Sequence, residues 1–388
     1  MIVINAPKLR MDDQNAIISA VIDYGDSSVE LWYKFPGIYY DDLDEKNADA
    51  FLVGILFLGL KTGEDIFVKS AISSRLYYSI THYLIPSLLL ANKNFHKIRI
   101  EAETKTEINR NTGNIAATGM SCGIDSFATY IDHLNESNSL KIKFFTYFNV
   151  GSHVGFGGEK GREVFNQRLS RISSFSKKVD MDLIAIDSNL SEILKMNFRQ
   201  THTLRSISCV LHLQKLIRTY YYASAYRFDH FELNQIDTSD SDILNLHLLS
   251  TESTQLFSSV SQYTRAERTK LVSENSGTYK HLDVCTSPQE SGDFINCSKC
   301  IKCLRTQFTL ELINKLDNYK EVFNLNIYEN NKNNFLAHLL YSDSLIDKEI
   351  VQLMRDKGSN FTLKSYYYLY QKKYMLKKKQ LKRIIGRI

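Results

Sequence analysis

From Ile115 to Ser126 the chain reads I-A-A-T-G-M-S-C-G-I-D-S, and Phe127, Ala128, Thr129, Tyr130 and Ile131 follow. Small and apolar residues lead into a Ser/Gly turn, and an apolar pattern at helical spacing begins at Asp125. Strand, tight loop and helix N-terminus are therefore expected in immediate succession. Such a turn is a phosphate cradle, because amide N–H groups of the loop and first helical turn face one small volume where the helix dipole favours negative charge. The Ser121 and Ser126 hydroxyls stand beside them, and Gly119 and Gly123 let the backbone bend and approach a ligand closely. The plainer reading of the same residues is a Ser/Gly turn ahead of an ordinary helix.

A βα alternation continues from this point. Strands are expected at 115–119, 141–150, 182–186 and 228–233, with helices at 125–135 and 161–177 and helical segments reaching Tyr222. This order predicts an α/β fold with a parallel, doubly wound sheet covered on both faces. Ligands bind such sheets beyond the carboxyl ends of the strands. The glycine-rich loop at 149–158, which contains His153, and the polar loop at 234–240 thus become site candidates, the second for Mg²⁺ or a substrate. Arg205, expected near the start of a helix at 203–222, suits an anionic partner or a solvated face.

Before this region, 16–24 and 29–35 read as a hairpin about Gly25-Asp26-Ser27-Ser28, followed by helices near 49–60 and 74–91 and a strand at 97–101. Residues 1–110 are read as an α+β N-terminal domain, 111–310 as the sheet domain, and 311–388 as a helical extension. A lid, a dimer surface, a partner platform or plain core stabilisation would each suit the first. With 388 residues, 43% of them hydrophobic, the chain can fill a sizeable core. Its longest apolar run, 50–60, is too short to span a bilayer and follows an acidic stretch, so a cytoplasmic protein without a transmembrane segment is expected. Net charge is +5, but the 8 Lys/Arg from Lys372 to Arg387 leave the remainder at −3. Only that tail, preceded by Tyr366, Tyr367, Tyr368 and Tyr370, suits RNA, an acidic protein or an anionic membrane.

Cys285, Cys297, Cys300 and Cys303 carry the strongest spacing signal. Four thiolates complete a tetrahedral Zn²⁺ shell, and two-residue separations let neighbouring cysteines reach one ion from a tight turn. Lys299, Lys302 and Arg305 would offset the excess negative charge. A closed shell has no open position and is structural, while an iron–sulfur cluster uses the same ligands.

The turn resembles S-G-G-x-D-S, the PP-loop of the ATP pyrophosphatase family, in five of six positions; Cys122 stands where the family carries Gly. Tyr263-Thr264-Arg265-Ala266-Glu267 resembles the family's T-K-x-E segment, with Arg265 at the basic position. Together with the downstream cysteines, the region 115–307 is similar to 7-cyano-7-deazaguanine synthase (QueC-like) enzymes, some relatives of which belong to bacterial antiviral operons. The resemblance implies a HUP-type sheet and ATP bound by Thr118, Gly119, Ser121, Cys122, Gly123, Asp125, Ser126 and Arg265, with Asp125 and Ser126 in the catalytic role. It also implies Mg²⁺ near Asp125 and a structural Zn²⁺. The reaction implied is adenylation of a small-molecule carboxylate, then attack by ammonia or an amine. Two rivals are tRNA thiolation through Cys122, whose pKa a helix N-terminus should lower, and a nucleotide-binding scaffold without turnover. A homodimer and a protein or RNA partner at the tail are further expectations.

Overall fold

The expected hairpin forms where period-two alternation meets a two-residue turn: Asn15–Tyr24 (β3) and Ser27–Pro36 (β4) pair antiparallel about Gly25 and Asp26. The computed structural model describes residues 1–153, 155–287, 290–371 and 374. Ile2–Ile4 (β1) and Lys8–Asp12 (β2) both pair with β3, and Ile66–Ser73 (β5) runs parallel between β1 and Ile100–Thr106 (β6). Asp49–Thr62 (α1) is apolar on all sides and accordingly buried from Asp49 to Leu60. It ends at Gly63, which takes the left-handed conformation at φ 75° and returns its N–H to the Gly59 carbonyl. Ser74–Ser79 (α2) and Ile85–Ala91 (α3) flank a single π-helical turn at Ile80–Leu84, so the interruption expected at Pro86 comes one turn earlier.

Ile115–Gly119 (β7) leads into Ile124–Asp132 (α4), and the alternation continues through Ile142–Asn149 (β8), Glu159–Lys178 (α5), Asp182–Ser188 (β9), Leu190–Leu194 (α6) and His202–Leu211 (α7). Ile217–Ala223 (β10), Asp242–Leu249 (α8) and Gln255–Ser259 (β11) complete it. Two expectations are corrected here. The helix that begins near His202 stops at Leu211, and the last part of the expected 203–222 helix is strand β10; residues 228–233 lie outside any strand, and β11 was not foreseen.

Among the described residues all eleven strands join one sheet, in the order β11-β10-β7-β8-β9-β4-β3-β1-β5-β6, with β2 beside β3. From β11 to β9 the pairing is parallel, with β7 at the centre. At β9 and β4 it turns antiparallel, so the sheet is mostly parallel with antiparallel parts. Only Tyr33↔Ser188 and Lys34↔Asp187 are in register there, but side chains reinforce the seam. Asn189 accepts from the Trp32 N–H and donates to the Glu30 carbonyl, and Ser188 Oγ donates to the Trp32 carbonyl. Strands of 1–110 and 111–262 consequently belong to one sheet, and the chain does not divide at 110/111. One compact unit comprises Met1–Ser121 and Asp132–Gln262; the other comprises Cys122–Ile131 and Tyr263–Ile388.

In the second unit Arg265–Ser273 (α9) starts at a capping box, Thr264 accepting from the Glu267 N–H while Glu267 accepts from the Thr264 N–H. Ile301–Leu312 (α10), Leu325–Leu339 (α11) and Leu345–Asp356 (α12) bury Phe308, Tyr328, Phe335, Ile350 and Met354 among them. Tyr366, Tyr367 and Tyr370 are exposed. The basic tail expected from Lys372 onward lies outside the described residues apart from Tyr374. Among the described residues no helix is long and apolar enough to cross a membrane.

Candidate functional site

Thr118 and Gly119 end the central strand. Thr118 is fully buried and its hydroxyl donates to the Tyr221 carbonyl at 2.8 Å, so its side chain serves the sheet. The Met120 N–H donates to the Thr146 carbonyl, extending the pairing with β8 by one residue. Ser121 is exposed.

In the second unit the turn continues with Cys122 at φ 57°. This is the left-handed region, which glycine enters without steric cost and other L-residues enter at about 1–2 kcal/mol. The backbone therefore adopts here the conformation that a glycine would favour, although the residue is cysteine. The Cys122 carbonyl accepts from the Asp283 N–H at 2.9 Å. Gly123 supplies its carbonyl to the Phe127 N–H and to the Ser126 hydroxyl at 3.1 Å. The N–H groups of Cys122, Ile124 and Asp125 have no hydrogen-bond acceptor among the described residues. Three donors at a helix start are the requirement for holding an anion.

Asp125 is ion-paired with two arginines of α9. Arg265 Nη1 meets Oδ2, and Arg268 Nη1 meets Oδ1 at 3.0 Å. Burial by itself would raise the carboxyl, but the adjacent guanidiniums outweigh it and hold Asp125 below the ordinary carboxylate value. Two guanidiniums share this carboxylate, and the carboxylates of Glu349, which accepts from the Arg265 N–H at 2.8 Å, and of Asp283, whose charge acts on the Cys122 thiol, stand close by. Arg268, fully buried, was not singled out from the sequence. The signal was present, because R-x-x-R on a helix puts both guanidiniums on one face.

Cys122 itself contradicts one expectation. Its thiol is 2% exposed, and burial, with Asp283 adding to it, pushes its pKa well above the ordinary value. Desolvation outweighs the helix N-terminus, so the lowered pKa expected of a sulfur carrier is not found.

Cys285, Cys297, Cys300 and Cys303 do come together, their sulfurs all within 4.8 Å of one another. Sγ–Sγ separations are 3.9 Å for Cys297–Cys303 and 3.3 Å for Cys300–Cys303. A tetrahedral zinc with Zn–S bonds of about 2.3 Å has sulfur edges of about 3.8 Å, whereas a disulfide is near 2 Å. Backbone N–H groups of Ser287 and Cys297 point at Cys285 Sγ, and that of Cys300 at Cys297 Sγ. Ser298, at φ 60°, turns the chain between the second and third cysteines. The cluster can hold a metal such as zinc. The charge compensation differs from expectation: Lys299 is ion-paired with Glu290 and Arg305 with Asp347.

Asp283 joins cluster and turn. Its N–H holds the Cys122 carbonyl and its Oδ1 accepts from the Cys285 N–H at 3.3 Å. Asn296 fixes the same segment through the Val284 N–H and the Leu282 carbonyl.

In the first unit Arg205 is neither solvated nor set against an anion. It is 1% exposed and donates to the Val150 and Met196 carbonyls and to Ser191 Oγ, and burial lowers its pKa to about 10. Gly151, at φ 111°, is required there, since a Cβ would lie 2.5 Å from Arg205 Nη1. Burial, with Arg168 nearby, lowers His153 to about 4, so its imidazole is neutral. The chain matches no protein-family model, no curated protein and no solved structure.

Proposed function

We propose that the chain is an ATP-dependent carbon–nitrogen ligase of the PP-loop kind, which adenylates a carboxylate and passes the acyl group to ammonia or an amine. The observation that supports this reading most is the helix start at Cys122–Ser126, where three amides without acceptors stand beside Asp125 and the two arginines paired with it. In this account the amides and the Ser126 hydroxyl hold the terminal phosphates, and Arg265 and Arg268 neutralise charge as pyrophosphate departs. A carboxylate oxygen of the substrate forms a bond to the α-phosphorus while the bond to the β-phosphate oxygen breaks. The amine then attacks the acyl carbon, AMP leaves with the bonding pair, and a proton is lost from nitrogen. Catalysis is mainly positioning and charge stabilisation. The four-cysteine cluster, holding zinc, is structural and braces the turn through Asp283.

The pairing of Asp125 with two arginines favours a second reading, a nucleotide-binding scaffold without turnover, because that carboxylate is already neutralised and has less to offer Mg²⁺. Mass spectrometry of AMP and pyrophosphate formation over a panel of carboxylic acids, carboxy-deazaguanine included, separates the two. The ligase reading expects both products with at least one acid. ATP binding without either product across the panel supports the scaffold.

A further inference from the structure

At one side of the first unit the sheet ends at β6, which pairs with β5 alone. In that parallel ladder Ile66 stands opposite Ile100, and the Ile66 N–H donates to the Arg99 carbonyl at 2.9 Å. Main-chain groups alternate in direction along a strand, so the N–H and C=O of Ile100 face away from β5, toward the free edge.

A cleft of about 700 Å³ lies beside this edge, in the size range of ligand sites. One wall is the chain entering β6, with Ile98, Arg99, Ile100 and Glu101 all contributing. Neighbouring residues send their side chains to opposite faces, so a wall made of consecutive residues is the edge of the strand and not one of its faces. The other wall is helical. Tyr77, Thr81, Ile85 and Leu89 recur at every fourth position through α2, the π-helical turn and α3, and all four line the cleft. At about 1.5 Å per residue this wall is about 18 Å long, which matches about five residues of extended chain. Thr81 Oγ1 is buried with no hydrogen-bond partner among the described residues, which leaves a polar atom for a ligand to satisfy. A free edge beside an apolar wall is a template for another segment of chain.

Charge gives the cleft a direction. Lys93 and Lys97 line it ahead of β6; both are exposed, and neither side chain has a hydrogen bond or ion pair among the described residues. Arg99 is held by Asp65, and Glu101, further along the strand, is the one acidic side chain of the lining.

We propose that this cleft takes an extended peptide segment of about five residues ending in a free carboxylate, added to β6 as an antiparallel strand. Antiparallel addition brings the C-terminus of the peptide to the start of β6, where Lys93 and Lys97 meet its carboxylate. A parallel peptide would set its ammonium group against the same lysines. Alternate side chains of the added strand fall against Ile85 and Leu89, so apolar residues are selected at the last and third-last positions. The site does not depend on the turn at Cys122.

The test is panning of the full chain against random pentapeptides displayed with free C-termini, followed by fluorescence anisotropy with the peptides recovered. Apolar residues should be enriched at the last and third-last positions. Binding should fall about tenfold on amidation of the peptide carboxylate, in the Lys93→Glu, Lys97→Glu double variant and in Leu90→Asp. Leu90 lines the cleft at 64% exposure, and both lysines are exposed, so these changes leave the core intact; circular dichroism checks it. N-methylation scanned along the peptide should weaken binding at every second amide, because only alternate N–H groups face β6. No enrichment, affinity indifferent to amidation and charge reversal, or tolerance of N-methylation at every amide overturns the assignment. Dodecanoate bound in the cleft with no peptide recovered would make it a lipid site and overturn the assignment equally.

Discussion

The four-cysteine cluster and the turn at Cys122 lie in the same unit and share Asp283, yet they were built by different means. The cluster is a matter of side-chain type and spacing: four sulfurs meet because a tight turn at Ser298 and the start of α10 bring short side chains to one point. The turn is a matter of backbone: its donors are main-chain N–H groups, and what matters is that Cys122 adopts φ 57° and that α4 begins at Ile124. A spacing-coded site tolerates no change of residue type. A backbone-coded site tolerates several, provided the conformation survives.

The largest effect expected from this contrast is loss of the metal. Cys303→Ser, or chelation of the wild type, removes binding free energy on the order of 10 kcal/mol from the second unit. Thermal unfolding with metal analysis should show an early transition for that unit. Asp283 makes the dependence one-sided: metal loss should also weaken ATP binding, whereas changes in the turn should leave metal content intact.

Asp125→Ala comes next. It removes the carboxylate shared by Arg265 and the buried Arg268, at a cost of about 3 kcal/mol in denaturant unfolding. The pH dependence has a definite sign. Asp125 is held below its unfolded value of about 3.9, so its contribution is fully present above that pH and is lost as pH falls through the lower folded value. Asp125→Asn should flatten this acid limb of the stability curve. An unaltered limb would mean that the pairing is weak.

A smaller effect separates binding from stability. Ser126→Ala should weaken ATP binding about tenfold, near 1.4 kcal/mol, with unfolding changed by less than about 1 kcal/mol. Comparable losses in both would make the hydroxyl a helix cap and nothing more.

Smallest of all is Cys122→Gly. Relief of left-handed strain, about 1 kcal/mol, should nearly offset the lost burial of a small side chain. The thiol of the wild type should also resist alkylation until the protein unfolds. Rapid alkylation of the native protein would restore the sulfur-carrier reading.

What the sequence made legible follows the same division. The cysteine cluster, the β3–β4 hairpin, α1 and the strand–turn–helix at Ile115–Asp132 were readable because each rests on local chemistry: ligand spacing, alternation, an all-apolar run, a glycine turn. Strand β10 was not, since I-R-T-Y-Y-Y-A follows the apolar helix α7 with neither Gly nor Pro to mark the break. The joining of residues 1–110 to the parallel sheet was hidden for a related reason, as it depends on a two-residue register between β4 and β9 and on the side chains of Ser188 and Asn189. Charges were the least legible. Lys299 and Arg305 looked like counter-charges to thiolates, but Glu290 and Asp347 claim them through the fold. The burial that raises the Cys122 thiol is likewise a property of packing, to which helix position gives no guide.

The central claim is that main-chain donors at Cys122–Ser126 hold the phosphates of a nucleotide. Calorimetric titration of the zinc-loaded chain with ATP and Mg²⁺ tests it most directly, with Ser126→Ala and Arg265→Gln measured beside the wild type. The account predicts saturable binding to one site, weakened about tenfold or more by each substitution. Absence of binding, or binding equally strong in both variants, would contradict it.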